Sequence, residues 1–126
     1  MVIHESAEDY LEAILMLQER LGMVRSIDIV NELGHSKPSV SVAMKKLREN
    51  GYVSMASDGT ITLNESGMEI ASSVYKRHKT LTSLFELMGV SPEVARTDAC
   101  KVEHDLSDET FDRICNFIAG MNKKDQ

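Results

Sequence analysis

Apolar residues recur at helical spacing from the start of the chain. Ser6 precedes Tyr10, Leu11, Ile14, Leu15, Leu17 and Leu21, and Gly22 closes the run, which predicts a helix over residues 6–21. Ser26 stands where it would cap a short second helix holding Ile27, Ile29, Val30 and Leu33, ended by Gly34. Ser36 caps a third, with Pro38 in its first turn, Val40, Val42, Met44 and Leu47 for burial, and a stop at Asn50-Gly51. Two helices joined by a short turn containing Gly make the helix-turn-helix pattern. The period then falls to two. Tyr52–Met55 and Thr60–Leu63 flank Ala56-Ser57-Asp58-Gly59, and Asp-Gly between β-prone runs predicts a hairpin. Helix, helix, hairpin in that order reads as a winged helix.

Helical spacing returns at Asn64, expected to cap a long helix that runs through Ile70, Val74, Leu81, Leu84, Phe85 and Leu87 to Gly89. Gly67 lies inside it, at a cost of about 1 kcal/mol. Ser91-Pro92-Glu93 starts a further helix through Val94, Ala95, Ala99 and Val102, and Ser107-Asp108-Glu109 starts the last. That last helix carries Phe111, Ile114, Phe117, Ile118 and Met121 on one broad face too apolar to leave in water, either our candidate dimer surface or a face buried within the monomer. The tail from Asn122 is polar and expected to fray. The expected architecture is mainly α: an N-terminal winged helix-turn-helix with a two-stranded wing over residues 1–63, then an α-helical domain over 64–126.

At 126 residues and 42% hydrophobic, the chain has enough apolar material to fold unaided. No apolar run exceeds a few residues, and the start, Met1-Val2-Ile3-His4-Glu5, lacks the features of a signal peptide, so a cytoplasmic protein without a membrane partner is expected. Two cysteines, Cys100 and Cys115, do not suggest a disulfide framework. The net charge of −6 argues against a nucleic-acid partner until its distribution is read. From Val24 to Asn50 five bases face three acids, a local +2, whereas Met1–Met23 and Thr80–Gln126 each carry −4.

That basic island coincides with the helix-turn-helix. Ser36, Ser39 and Ser41 permit close approach to base edges, Lys37 stands at the entrance, and Lys45, Lys46 and Arg25 are phosphate candidates. The acidic flanks hold a second chemistry. Asp9 and Glu12, spaced i, i+3, share a helical face; Cys100, Glu103 and His104, spaced i, i+3, i+4, share another; and His78 lies midway along the long helix. Carboxylates, imidazoles and a thiolate together suit a divalent first-row transition metal, and the closed Cys-rich spacing of structural zinc is absent. Each residue alone also fits an ordinary structural role.

The segments Glu8-Asp9-Tyr10-Leu11-Glu12, Ser36-Lys37-Pro38-Ser39-Val40-Ser41, Arg77-His78 and Ala99-Cys100-Lys101-Val102-Glu103-His104-Asp105-Leu106-Ser107 resemble the diphtheria toxin repressor family of metal-dependent transcriptional regulators, which includes the manganese transport regulators. The resemblance runs collinearly over nearly the whole chain. It implies a homodimer whose winged helices bind a palindromic double-stranded DNA operator when Fe²⁺ or Mn²⁺ is bound, with Zn²⁺, Co²⁺ or Ni²⁺ able to substitute. It implies ligand roles for Asp9, Glu12, His78, Cys100, Glu103 and His104, and DNA contacts from Ser36, Pro38, Ser39 and Ser41. The helical domain would then be the metal-binding and dimerisation domain, with the first helix contributing to the metal site. The match is mixed. Asp9 and Glu12 fit the manganese branch, where the position of Cys100 is typically Glu; Cys100 fits the iron branch, where the position of Asp9 is typically Met. Thr82 and Arg96 stand where the iron branch has ligands of a second site. The resemblance leads us to expect the two-domain arrangement of the manganese regulators, without the SH3-like third domain of the longer members.

The reading is therefore a metal-dependent repressor, not an enzyme. Two rivals stand beside it: a metal-independent winged-helix repressor with Cys100 as a redox or ligand sensor, and a small metallohydrolase on the same cluster. Acidic neighbours Asp98 and Glu103 disfavour a reactive thiolate at Cys100, and the chain offers no nucleophile motif or phosphate loop for hydrolysis.

Overall fold

The computed structural model describes residues 5–124 as six helices and one two-stranded sheet: α1 (Glu5–Leu21), α2 (Ser26–Leu33), α3 (Lys37–Glu49), β1 (Val53–Met55), β2 (Ile61–Leu63), α4 (Glu65–Leu87), α5 (Pro92–Val102) and α6 (Asp108–Lys124). The chain divides inside α4, between Ser73 and Val74, into two compact units.

The first unit is a winged helix. Its core is built on α1, whose Leu11, Ile14 and Leu17 are fully buried and cluster with Ile29 of α2, Val40, Met44 and Leu47 of α3, and Val53 and Ile61 of the wing. Removing such side chains from water is the main stabilising term. The turn between α2 and α3 forms as its residues dictate. Gly34 adopts a left-handed φ of 70° as the α2 C-cap, and the Ser36 hydroxyl accepts the Ser39 amide at 3.2 Å as the α3 N-cap. Tyr10 of α1 reaches this turn, its hydroxyl sharing a 2.8 Å hydrogen bond with His35 Nδ1. Burial pushes the Tyr10 phenol above its ordinary value of 10.0.

The wing is antiparallel, pairing Val53 with Leu63 and Met55 with Ile61. At its tip Gly59 takes φ 90°, and the Asp58 carboxylate accepts the Thr60 amide at 2.9 Å. That bond holds the Asp58 carboxyl below its ordinary value. The base of the wing is tied to the helices, since the Ile61 amide donates to the Val24 carbonyl at 2.7 Å.

Three local expectations change. Ser26 does not cap α2: Arg25 occupies the cap position, and the Asp28 carboxylate reaches back to the Arg25 amide at 2.9 Å. The Asn64 side chain joins the wing instead of capping α4, donating to the Gly51 carbonyl and accepting the Ser54 hydroxyl. Helix α6 continues through Lys124, past the point where fraying was expected.

The second unit buries Val74, Leu81, Ala95, Ala99 and Phe111. It leaves Leu87, Met88, Val94 and Phe117 about half or more exposed, at 56%, 71%, 49% and 66%. No helix of the described residues is long and apolar enough to cross a membrane.

Gly67 is more than a tolerated interruption. A Cβ there would overlap the Tyr52 carbonyl oxygen, which also accepts the Asn64 amide, so α4 leaves the wing by close backbone approach. Gly67→Ala is expected to lower stability by about 1–3 kcal/mol, the cost of overpacking. Helix propensity alone would predict a gain of about 1 kcal/mol. Urea unfolding of the two proteins reads the sign.

Candidate metal centre and nucleic-acid interface

The middle of α4 and the end of α5 explain why three of the expected ligands gather. Helix α5 stops at Val102, so Glu103 is its C-cap and His104 lies in the turn beyond. Glu103 remains in helical conformation, its amide donating to the Ala99 carbonyl at 2.9 Å. Its side chain is completely buried. A buried carboxylate is costly unless donors or cations meet it. His78 of α4 meets one oxygen, with Nδ1 3.0 Å from Oε2. The other, Oε1, accepts no hydrogen bond and lies 3.5 Å from Nε2 of the buried His104 ring. Imidazoles beside a buried carboxylate with an unsatisfied oxygen are nitrogen and oxygen donors of the kind a divalent transition metal takes, and a Glu103 oxygen lies within 4.8 Å of a His78 ring nitrogen, so these residues fit such an ion.

Cys100, one turn earlier on α5, is exposed and Glu103 is buried, yet the Cys100 Sγ and a Glu103 carboxylate oxygen lie within 4.8 Å of each other, as their spacing predicts. In the first unit, Asp9 and Glu12 lie one turn apart on α1, Asp9 half-buried and Glu12 buried.

Arg77, beside His78 on α4, escaped assignment from sequence because its partners lie about thirty positions away. Its guanidinium donates to the main-chain carbonyls of Glu103 and Leu106, ion-pairs with Asp108, and lies 5.1 Å from the centroid of the Phe111 ring. Phe111, expected on the dimer surface, is consequently buried within its own unit. Ile114 and Ile118 are half-buried, whereas Phe117 and Met121 are exposed. Ile118 also lines a groove of about 590 Å³ with Lys79, Thr80, Ser83, Glu86 and Leu87.

In α3, Val40, Met44 and Leu47 face the core, which turns Lys37, Pro38, Ser39, Ser41, Lys45 and Lys46 to solvent. Val42, expected to be buried, is 55% exposed and sits among them. Three core positions fill the inward face of a 13-residue helix, so a fourth apolar residue between them in sequence must point away. An outward valine on such a helix is suited to apolar contact with a thymine methyl group. Arg25 is exposed and stands 4.0 Å from Asp58 at the wing tip, which places it beside the wing. A groove of about 540 Å³ between α1 and α3 is lined by Tyr10, His35, Pro38, Ser39, Val42 and Lys46 among others.

The family described as "Iron dependent repressor, N-terminal DNA binding domain" matches residues 3–61, and that described as "Iron dependent repressor, metal binding and dimerisation domain" matches residues 64–125. The transcriptional regulator MntR of Salmonella typhimurium is 34% identical over 113 residues, 90% of this chain and 72% of its own length. An HTH-type transcriptional regulator of Methanocaldococcus jannaschii is 35% identical over 122 residues, 95% of this chain and 98% of its own. Among solved structures, a manganese-dependent transcriptional repressor in complex with manganese is 30% identical with a TM-score of 0.81, covering 90% of this chain and 52% of that one. The manganese regulator SloR is 28% identical with a TM-score of 0.78, covering 94% and 55%. The chain thus spans about half the length of these solved chains.

In metal-free protein, His78→Ala would leave Glu103 buried without its hydrogen-bond partner. A loss of about 1–3 kcal/mol is expected in denaturant unfolding.

Proposed function

The chain belongs to the diphtheria toxin repressor and manganese transport regulator family of metal-dependent transcriptional repressors, and from that premise we propose that a divalent cation held by Asp9, Glu12, His78, Cys100, Glu103 and His104 switches on binding of its dimer to a palindromic operator. The family is one of transcriptional regulators and not of enzymes. The observation that carries the reading is Glu103: a completely buried carboxylate between two histidines, with one oxygen accepting no hydrogen bond, inside the segment matched as metal-binding.

The bound cation supplies positive charge that offsets the carboxylates. Everything else falls to the chain. Without that charge, Asp9, Glu12 and Glu103 repel one another and leave the helices that carry them poorly fixed. With it, those helices become a rigid frame for the DNA-binding unit. Two copies then present their α3 helices to successive turns of the major groove, about 34 Å apart. Ser36, Pro38, Ser39 and Ser41 meet base edges, Lys37, Lys45 and Lys46 hold phosphates, and Arg25 grips the backbone beside the wing. The exposed face of α6, Phe117 and Met121 flanked by Ile114 and Ile118, supplies the dimer contact; so large an apolar surface calls for cover. Mn²⁺ or Fe²⁺ is the activating ion. The relatives named for manganese favour the first, and a thiol ligand favours the second.

Gel shifts on a duplex selected from random DNA by metal-loaded protein test the gate. Adding Mn²⁺ or Fe²⁺ should tighten binding by about 5- to 150-fold, the usual range of coupling between sites. Glu103→Ala should abolish that gain while leaving the helix content of the wing unit in place; operator affinity indifferent to both metal and the substitution would reject the proposal. Lys45→Ala and Lys46→Ala should each flatten the salt dependence of binding by about one unit of log–log slope, whichever duplex is used.

A further inference from the structure

We infer that Arg77 is a positioning residue for the metal site, holding Glu103 and His104 in place before any ion arrives. The inference rests on the ligand reading above. Arg77 and His78 are neighbours on α4, and both grip the same residue. His78 bonds the Glu103 carboxylate, while Arg77 bonds the Glu103 main-chain carbonyl at 3.3 Å.

The same guanidinium also binds the Leu106 carbonyl, so the turn from Glu103 to Leu106, with His104 inside it, is pinned at both ends. This turn needs such a clamp. The last carbonyls of a helix have no partner within it, and a turn lacking further regular structure leaves its side chains free to reorient. The Arg77 side chain is only 12% exposed, and the Phe111 ring beneath it restricts its planar fork. The contact to Asp108 adds little, because that carboxylate is 96% exposed and screened by water. The clamp therefore resides in the two carbonyl bonds. Groups that orient metal ligands without touching the metal typically change affinity by about 10- to 100-fold when removed.

The test compares Mn²⁺ affinity of the full-length chain, followed through the electron paramagnetic resonance signal of the free ion, at a temperature where circular dichroism shows every variant folded. Arg77→Met keeps the aliphatic stem over Phe111 and removes all donors; binding weaker by about 10- to 100-fold is expected. Arg77→Lys keeps the charge without the two-pronged geometry and should fall between Arg77→Met and the parent protein. Asp108→Asn should bind as the parent does, which separates the carbonyl clamp from simple charge loss. Should Arg77→Met not fold, Arg77→Lys carries the comparison alone. An Arg77 variant that folds and binds Mn²⁺ within twofold of the parent overturns the inference. Glu103→Gln separates this failure from that of the ligand reading: if it also binds normally, the site itself is wrong; if it loses Mn²⁺ while the Arg77 variants keep it, only the positioning role falls.

Discussion

Glu103 carries a carboxylate that no water reaches, and a charge in that position must be met by groups brought to it. His78 comes from one helix, His104 from the turn beside it, and Arg77 secures the main chain that holds the carboxylate there. Much of the second unit follows from this arrangement. Helix α5 ends where the carboxylate turns inward, α6 begins within reach of Arg77, and Phe111 lies under the guanidinium. One carboxylate oxygen still accepts no hydrogen bond.

The first unit obeys a different constraint, the burial of apolar area around α1. Leu11, Ile14 and Leu17 hold α2, α3 and the wing to one core, leaving the recognition helix to be oriented by packing. Polar contacts then trim that arrangement. The Tyr10–His35 bond ties α1 to the turn ahead of α3, and Arg25 stands beside the acid at the wing tip. The net charge of −6 is therefore compatible with a DNA partner: the lysines of α3 all face outward, and many of the acids lie elsewhere.

The order of elements was legible in the sequence because local chemistry decides it. Gly34 and Ser36 bound the helix-turn-helix turn, Asp58-Gly59 makes the hairpin tip, and Ser107 caps α6 by accepting the Thr110 amide, each through contacts a few residues long. Spacing also placed Asp9, Glu12, His78 and Cys100 on their helices, whereas Glu103 caps α5 and His104 lies in the turn beyond it. It misjudged Val42 and Phe111 in opposite directions, giving the core a valine that faces solvent and the surface a phenylalanine that is buried. Periodicity defines a stripe, and the width of stripe that is covered depends on what packs there.

Asn64, Gly67 and Arg77 show the limit most clearly. From sequence they read as a cap, a tolerated glycine and part of a motif. In the fold, Asn64 ties the wing, Gly67 admits the Tyr52 carbonyl, and Arg77 clamps a turn nearly thirty residues away. Sequence by itself determined which elements form and in what order, and which side chains have the chemistry to bind metal or phosphate, since turn preference and periodicity act over a handful of residues. Only the tertiary structure decided which of those side chains are buried and which carbonyls need a donor, because burial and long-range hydrogen bonding exist only once distant segments have been brought together.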